Sequence, residues 1–175
     1  MNSKRLIAAA LAFALLGAAA ASAAENVIGL WKSISDKTGK PQSIAMIYDY
    51  QGKLYGRILA VYNDETFVID DTTAIRKYKA DKLVGDPATC GLDFIYGLQD
   101  KGKEWLGLIM DPQAGKEYEC KIWKEGGKLV LRGQLKGPIK LGRNQTWLPA
   151  TPSELPAGYA IPDSSTFVPV IPKGK

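Results

Sequence analysis

From residue 26 onward, apolar and polar positions alternate in short stretches that end at glycine, and helical spacing is nearly absent. A period of two marks strands with one buried face. Eight such stretches stand out: 26–34, 43–50, 53–62, 93–99, 104–110, 116–124, 128–135 and 141–148. Most are joined by turn-forming residues: Gln51-Gly52, Lys101-Gly102-Lys103, Asp111 to Gly115 and Glu125-Gly126-Gly127. Short hairpin connections favour pairing between neighbours in sequence. Eight antiparallel strands joined this way gain from closure, which removes exposed edges. The pattern therefore predicts an all-β fold, an eight-stranded antiparallel up-and-down barrel. A two-sheet sandwich is the competing architecture.

The alternation also assigns faces. Tyr118, Cys120 and Ile122 share the inward face of the sixth stretch, and Glu117, Glu119 and Lys121 share the outward one. The seventh sets Leu129, Leu131 and Gly133 against Val130, Arg132 and Gln134. One interval breaks the meander: 63–89, a long loop between the third and fourth strands, with Asp70-Asp71, a basic stretch Arg76 to Lys79, and a predicted short helix over 72–83. Residues 149–175 hold six of the ten prolines and read as an extended C-terminal tail, either wrapped over the barrel or disordered.

The start of the chain is of another kind. Lys4 and Arg5 precede an apolar run from Leu6 to Leu16, then Ala21-Ser22-Ala23. This is the layout of a secretory signal peptide, and its apolar core is shorter than the roughly 20 residues a spanning helix needs. The expected organisation is a cleaved signal peptide at 1–24, a barrel domain at 25–148 and the proline-rich tail at 149–175. Cleavage after Ala23 or Ala24 fits equally well. Ala18 follows Leu15-Leu16-Gly17 where a lipoprotein would need cysteine. The product is expected in the periplasm or secreted, and not membrane-spanning.

Loss of Lys4 and Arg5 lowers the formal charge from +5 to +3, with basic and acidic residues interleaved, so no nucleic-acid partner is expected. Cys90 and Cys120 are the only thiols. In an oxidising compartment an even count reads as a disulfide, worth roughly 3–4 kcal/mol across a loop of this length. A redox pair or two buried thiols are the alternatives.

No histidine occurs, which excludes triads and imidazole-based metal sites. Two cysteines cannot make a four-thiolate site. P-loop, dinucleotide fingerprint and nucleophile elbow are all missing. No catalytic residue, metal or cofactor is expected. The aromatics are the main resource of so small a barrel. Tyr48, Trp105 and Tyr118, each mid-strand beside apolar alternation, are the candidates to line a cup for a small apolar or amphipathic ligand. The alternative is a non-catalytic envelope structural or interaction protein with a packed barrel, its partner unidentified.

Several motifs appear in a fixed order: Gly29-Leu30-Trp31, Asp36 to Pro41, Tyr48 to Arg57, Cys90 to Asp93, Asp111-Pro112, Gly115-Lys116 with Tyr118 and Cys120, Leu131-Arg132-Gly133, and Leu141-Gly142-Arg143 with Thr146-Trp147. Together they resemble the secreted bacterial family catalogued as domain of unknown function 2147, over about residues 26–148. The resemblance implies a calycin-type barrel similar to lipocalins and streptavidin, with no established activity. It also implies a structural role for Trp31 across the closed end of the barrel, with Arg143, or else Arg132, packed over it. The run Gln134 to Pro138 departs from the family's pattern.

Overall fold

The computed structural model describes residues 23–63, 66–68, 79–155 and 157–175. All but the last two residues of the predicted signal segment, and residues 72–78 of the predicted helix, lie outside them. Among the described residues nine strands follow in order: β1 (Gly29–Ile34), β2 (Pro41–Tyr50), β3 (Lys53–Asn63), β4 (Thr66–Val68), β5 (Asp93–Asp100), β6 (Trp105–Asp111), β7 (Lys116–Glu125), β8 (Lys128–Gln134) and β9 (Gly142–Pro149). All pairings are antiparallel. The order is β2-β1-β9-β8-β7-β6-β5-β3-β4, and β2 also pairs with β3. That pairing closes eight strands into a barrel and rules out the sandwich. The ninth, β4, extends the barrel wall by pairing with the last three residues of β3.

Local sequence sets the tight turns. Gln51 (φ 54°) and Gly52 (φ 75°) join β2 to β3, and Gly126 (φ 56°) and Gly127 (φ 77°) join β7 to β8. Two consecutive positive φ values make the turn whose twist matches that of paired strands. At Gly107 the constraint is space: a Cβ would stand 2.7 Å from the Tyr96 carbonyl oxygen, where the β5–β6 register shifts.

The predicted faces of β7 and β8 hold. Cys120, Ile122, Leu129 and Leu131 are buried in the main core cluster, while Glu117, Glu119 and Lys121 form ion pairs with Lys136, Lys140 and Glu104. β2 is covered on both sides. Ala45 and Ile47 point into the barrel, whereas Ile44, Met46 and Tyr48 point outward beneath the tail, among Leu155 and Phe167.

Two expectations are corrected here. No disulfide joins Cys90 and Cys120; both are buried thiols of the same apolar cluster. The end of the long excursion is tied down by backbone instead: Gly91 N–H donates to Ile58 O (2.7 Å) and Ile58 N–H donates to Leu92 O (3.0 Å). Burial pushes the Cys120 thiol well above its ordinary pKa, so the reactive thiolate is suppressed. The described part of the predicted 72–83 helix, Lys79 to Leu83, is not helical. It is held by bridges from Lys79 to Ala88 and from Leu83 to Gly174.

The two ends of the barrel differ. The turns at 51–52 and 126–127 mark one end, which Val27, Trp31, Leu54, Leu98, Ile122 and Leu129 fill. Residues 24–28 lie across it. Ala24 N–H donates to the Asp100 carboxylate (3.0 Å), Trp105 Nε1 to Glu25 O (3.0 Å) and Trp31 Nε1 to Val27 O (2.8 Å). The other end carries the connections 35–40, 112–115 and 135–141 and the described residues 79–92, and among the described residues it is open.

Candidate functional site: a cup at the open end

The open end leads into a cavity of about 690 Å³. Strand alternation builds it, because every second residue of the wall points inward. Phe94 of β5 and Trp147 of β9 form the floor, their rings stacked with centroids 6.0 Å apart. Trp147 is buried, and its indole N–H is satisfied by Gln145 Oε1 at 2.9 Å. Ile58, Val61, Ile109 and Leu131 line the wall. Ser33 and Ser43 add a hydroxyl pair at 2.7 Å.

The upper part is polar. Lys79, Asp111, Gln113 and Arg143 stand around the mouth, with Leu135 and Leu141 beside them. Asp111 is occupied, since its Oδ1 accepts from the backbone N–H groups of Gln113 and Ala114. Tyr118 lines the cavity, and among the described residues its hydroxyl has no hydrogen-bond partner. Lys79 likewise has no side-chain partner there, and Arg143 has only Asp36, at 3.9 Å. The arrangement is an apolar pit under a ring of donors. It suits a molecule with an apolar body and an acceptor-bearing or anionic head.

Of the three aromatics singled out in the sequence, Tyr118 alone lines this cavity. Trp105 sits at the closed end, half-buried, with its indole N–H on Glu25 O. Tyr48 is on the outside of the wall, where both faces of β2 are apolar because the tail covers the outer one. Its hydroxyl donates to Asp93 Oδ1 (2.7 Å), and its ring meets Phe167 edge-on with centroids 5.0 Å apart. Burial first, and then the Asp93 bond, raise the Tyr48 pKa. The plug at Trp31 is also built differently from expectation. Lys124, not Arg143 or Arg132, lies over its ring, 5.9 Å from the centroid. Arg143 is at the opposite end, on the open mouth.

The comparisons fit this geometry. The profile of the family described as "uncharacterized protein conserved in bacteria (DUF2147)" matches residues 29–148, which is β1 to the end of β9 but for its last residue. The chain belongs to the DUF2147 family. A solved structure similar to this DUF2147 protein is HP1028 from Helicobacter pylori, described as belonging to the lipocalin family. It aligns with 16% identity over 74% of this chain and 86% of that chain, at a TM-score of 0.58. That likeness establishes a lipocalin-like barrel. Curated protein sequences include no match.

One cluster in this DUF2147 protein escaped the sequence reading. Asp93, fully buried on the outer wall, accepts four hydrogen bonds: from Tyr48 Oη (2.7 Å), Arg57 Nε (2.9 Å), Arg57 Nη2 (2.6 Å) and the Val170 backbone N–H (2.9 Å). Arg57 and Asp93 are register partners across β3 and β5, and the guanidinium also lies 3.9 Å over the Phe167 ring. No buried side-chain nitrogen or oxygen among the described residues of the cluster lacks a partner, and Val170 ties the tail to it. Among the described residues no group of His, Cys, Asp or Glu could hold a metal ion.

Proposed function

We propose that this protein is a non-enzymatic carrier or sensor that holds a small amphipathic molecule in the cup, apolar end down on Phe94 and Trp147, polar head among Tyr118, Lys79 and Arg143. The carrying observation is the open cavity of about 690 Å³, which falls within the roughly 300–1,000 Å³ typical of small-molecule sites. The reading extends to export: the N-terminal segment up to Ala23 acts as a cleaved signal peptide and the mature barrel works in the bacterial envelope. No described helix is long and apolar enough to cross a membrane.

Gly133 offers a clean test. It lines the cavity, and a Cβ there would meet only Ile109 Cγ2, at 4.0 Å. Gly133→Phe therefore fills the cup from the wall without a backbone clash. The wild type should bind an environment-sensitive amphipathic dye and, isolated gently from its own envelope, carry extra mass in native mass spectrometry. Gly133→Phe should lose both while keeping its circular dichroism. Equal dye binding by the two proteins would remove the cup as the site.

A further inference from the structure

The connection between β8 and β9 forms one lip of the cup, and its surface chemistry is unlike that of the other loops. It reads Leu135-Lys136-Gly137-Pro138-Ile139-Lys140-Leu141. Leu135, Ile139 and Leu141 are 47%, 67% and 66% exposed, three large aliphatic side chains offered to solvent within seven residues. The loop is closed at its base by Leu135 N–H donating to Leu141 O (2.8 Å), which keeps the three on one short loop. Monomers rarely expose such a cluster without a use for it.

The charges around it have one sign in sequence. Residues 132–143 contain Arg132, Lys136, Lys140 and Arg143 and no acidic residue. The neighbouring connection 35–40 adds Lys37 and Lys40, and the Arg143–Asp36 contact at 3.9 Å places it alongside. Among the described residues the carboxylates near this lip are Asp36, Glu117, Glu119 and, on the same mouth, Asp111, whose Oδ1 already accepts from two backbone N–H groups. Glu117 holds Lys136, and Glu119 holds Lys140 at 2.6 Å, both as surface pairs. Exposed pairs of this kind contribute little, so their lysines are free to exchange partners. Among the described residues Arg132 bonds only neutral oxygens, on Gln134, Asn144 and Lys140.

We propose that this lip is a membrane-docking tip. Leu135, Ile139 and Leu141 enter the headgroup boundary of an anionic bilayer, while Lys136, Lys140 and Arg143 meet the lipid phosphates. Leu135, Leu141 and Arg143 also line the cavity, so docking sets the mouth against the lipid surface. A second copy of the chain is a poorer occupant, because like-charged lips would face each other. Docking is separable from the cup, since it needs no occupied cavity.

The experiment is flotation of the purified mature protein with phosphatidylcholine vesicles, with and without phosphatidylglycerol, at low and high salt. Binding is expected only with phosphatidylglycerol, and weaker at high salt. Ile139→Ser with Leu141→Ser should reduce partitioning about tenfold or more. Lys136→Gln with Lys140→Gln should reduce it by about fivefold per charge. Val170→Ser, which removes an equally exposed aliphatic side chain (71%) elsewhere, should leave it unchanged, and Gly133→Phe should float like wild type. Absence of binding to phosphatidylglycerol vesicles, or equal losses in the Val170 and lip variants, overturns the proposal. So does a soluble dimer that the lip variants dissolve while lipid binding is absent.

Discussion

Replacing Asp93 by asparagine changes one atom's chemistry at the most tightly matched point of the outer wall. Two donors converge on each carboxylate oxygen. The amide keeps one acceptor and turns the other into an N–H₂ group, which then opposes two of those donors. Whichever way the amide lies, the Arg57 guanidinium, with 16% of its side chain exposed, loses its counter-charge. Breaking a buried pair from one side costs about 3–5 kcal/mol. Tyr48→Phe removes a single neutral donor to the same carboxylate and should cost about 1.5 kcal/mol, the low end for a bond to a charged group. With a urea m-value of about 2 kcal/mol/M, Asp93→Asn should lower the unfolding midpoint by about 1.5–2.5 M, and Tyr48→Phe by about 0.75 M. Val170 donates to this carboxylate, so Asp93→Asn should also make the 151–175 segment a preferred site of limited proteolysis in native buffer. If Asp93→Asn moved the midpoint no further than Tyr48→Phe, and the tail stayed resistant, the cluster would not be what fastens the tail.

Three further outcomes are expected. Both cysteines should be silent toward a thiol reagent in native buffer and should react fully after denaturation without reductant; a native mass two units below the reduced value would instead mean a bridge. Stability should fall at both extremes of pH. Lys136 first, and then Tyr96, hold the Glu117 pKa below its ordinary 4.5, so its contribution is present above that value and disappears as pH drops through the lower folded value. Burial first, and then bonds to carboxylates, raise the Tyr48 and Tyr96 pKa values above 10, so their contribution is intact below pH 10 and is lost as pH climbs through the higher folded values. Ultraviolet titration should show tyrosines ionising only with unfolding, and a fully reversible titration near pH 10 would contradict the burial. Finally, the Asp100 carboxylate lies 3.0 and 3.1 Å from Ala24 N, so cleavage after Ala23 would leave an ammonium paired there. N-terminal sequencing of exported protein should read Ala24-Glu25-Asn26, and Asp100→Asn should lower stability only modestly, as an exposed pair does.

The eight strands of the closed barrel, most turns and the faces of β7 and β8 were legible because hairpin chemistry and period-two alternation are local signals; the three-residue β4, inside the predicted loop, was too short to show a period. Tyr48 was not, because β2 is apolar on both parities. Which face lines the cup depends on whether something covers the other, and the cover arrives from Leu155 and Phe167, more than a hundred residues later. Arg143 was misplaced for a related reason. Lying on β9 beside β1 does not say at which end of the barrel it sits, and register puts Gly133, not Trp31, opposite it. The disulfide expectation came from compartment and count alone, neither of which carries geometry. Asp93 had no local signal either, since its partners come from β2, β3 and the tail.

The dependence of Asp93 on Val170 has a consequence for the order of assembly. A chain delivered from its N-terminus has all nine strands available before residue 170 emerges. Until then Asp93 and Arg57 can close against each other, but the carboxylate lacks its fourth donor and the ring of Phe167 is missing from above the guanidinium. The barrel can therefore form early, whereas its outer wall matures only when the last segment threads across it and pairs at Leu83 with Gly174. A product cut short before Phe167 would keep the cup but expose Met46, Tyr48 and Leu59, an apolar scar by which cellular proteases could tell an incomplete molecule from a finished one.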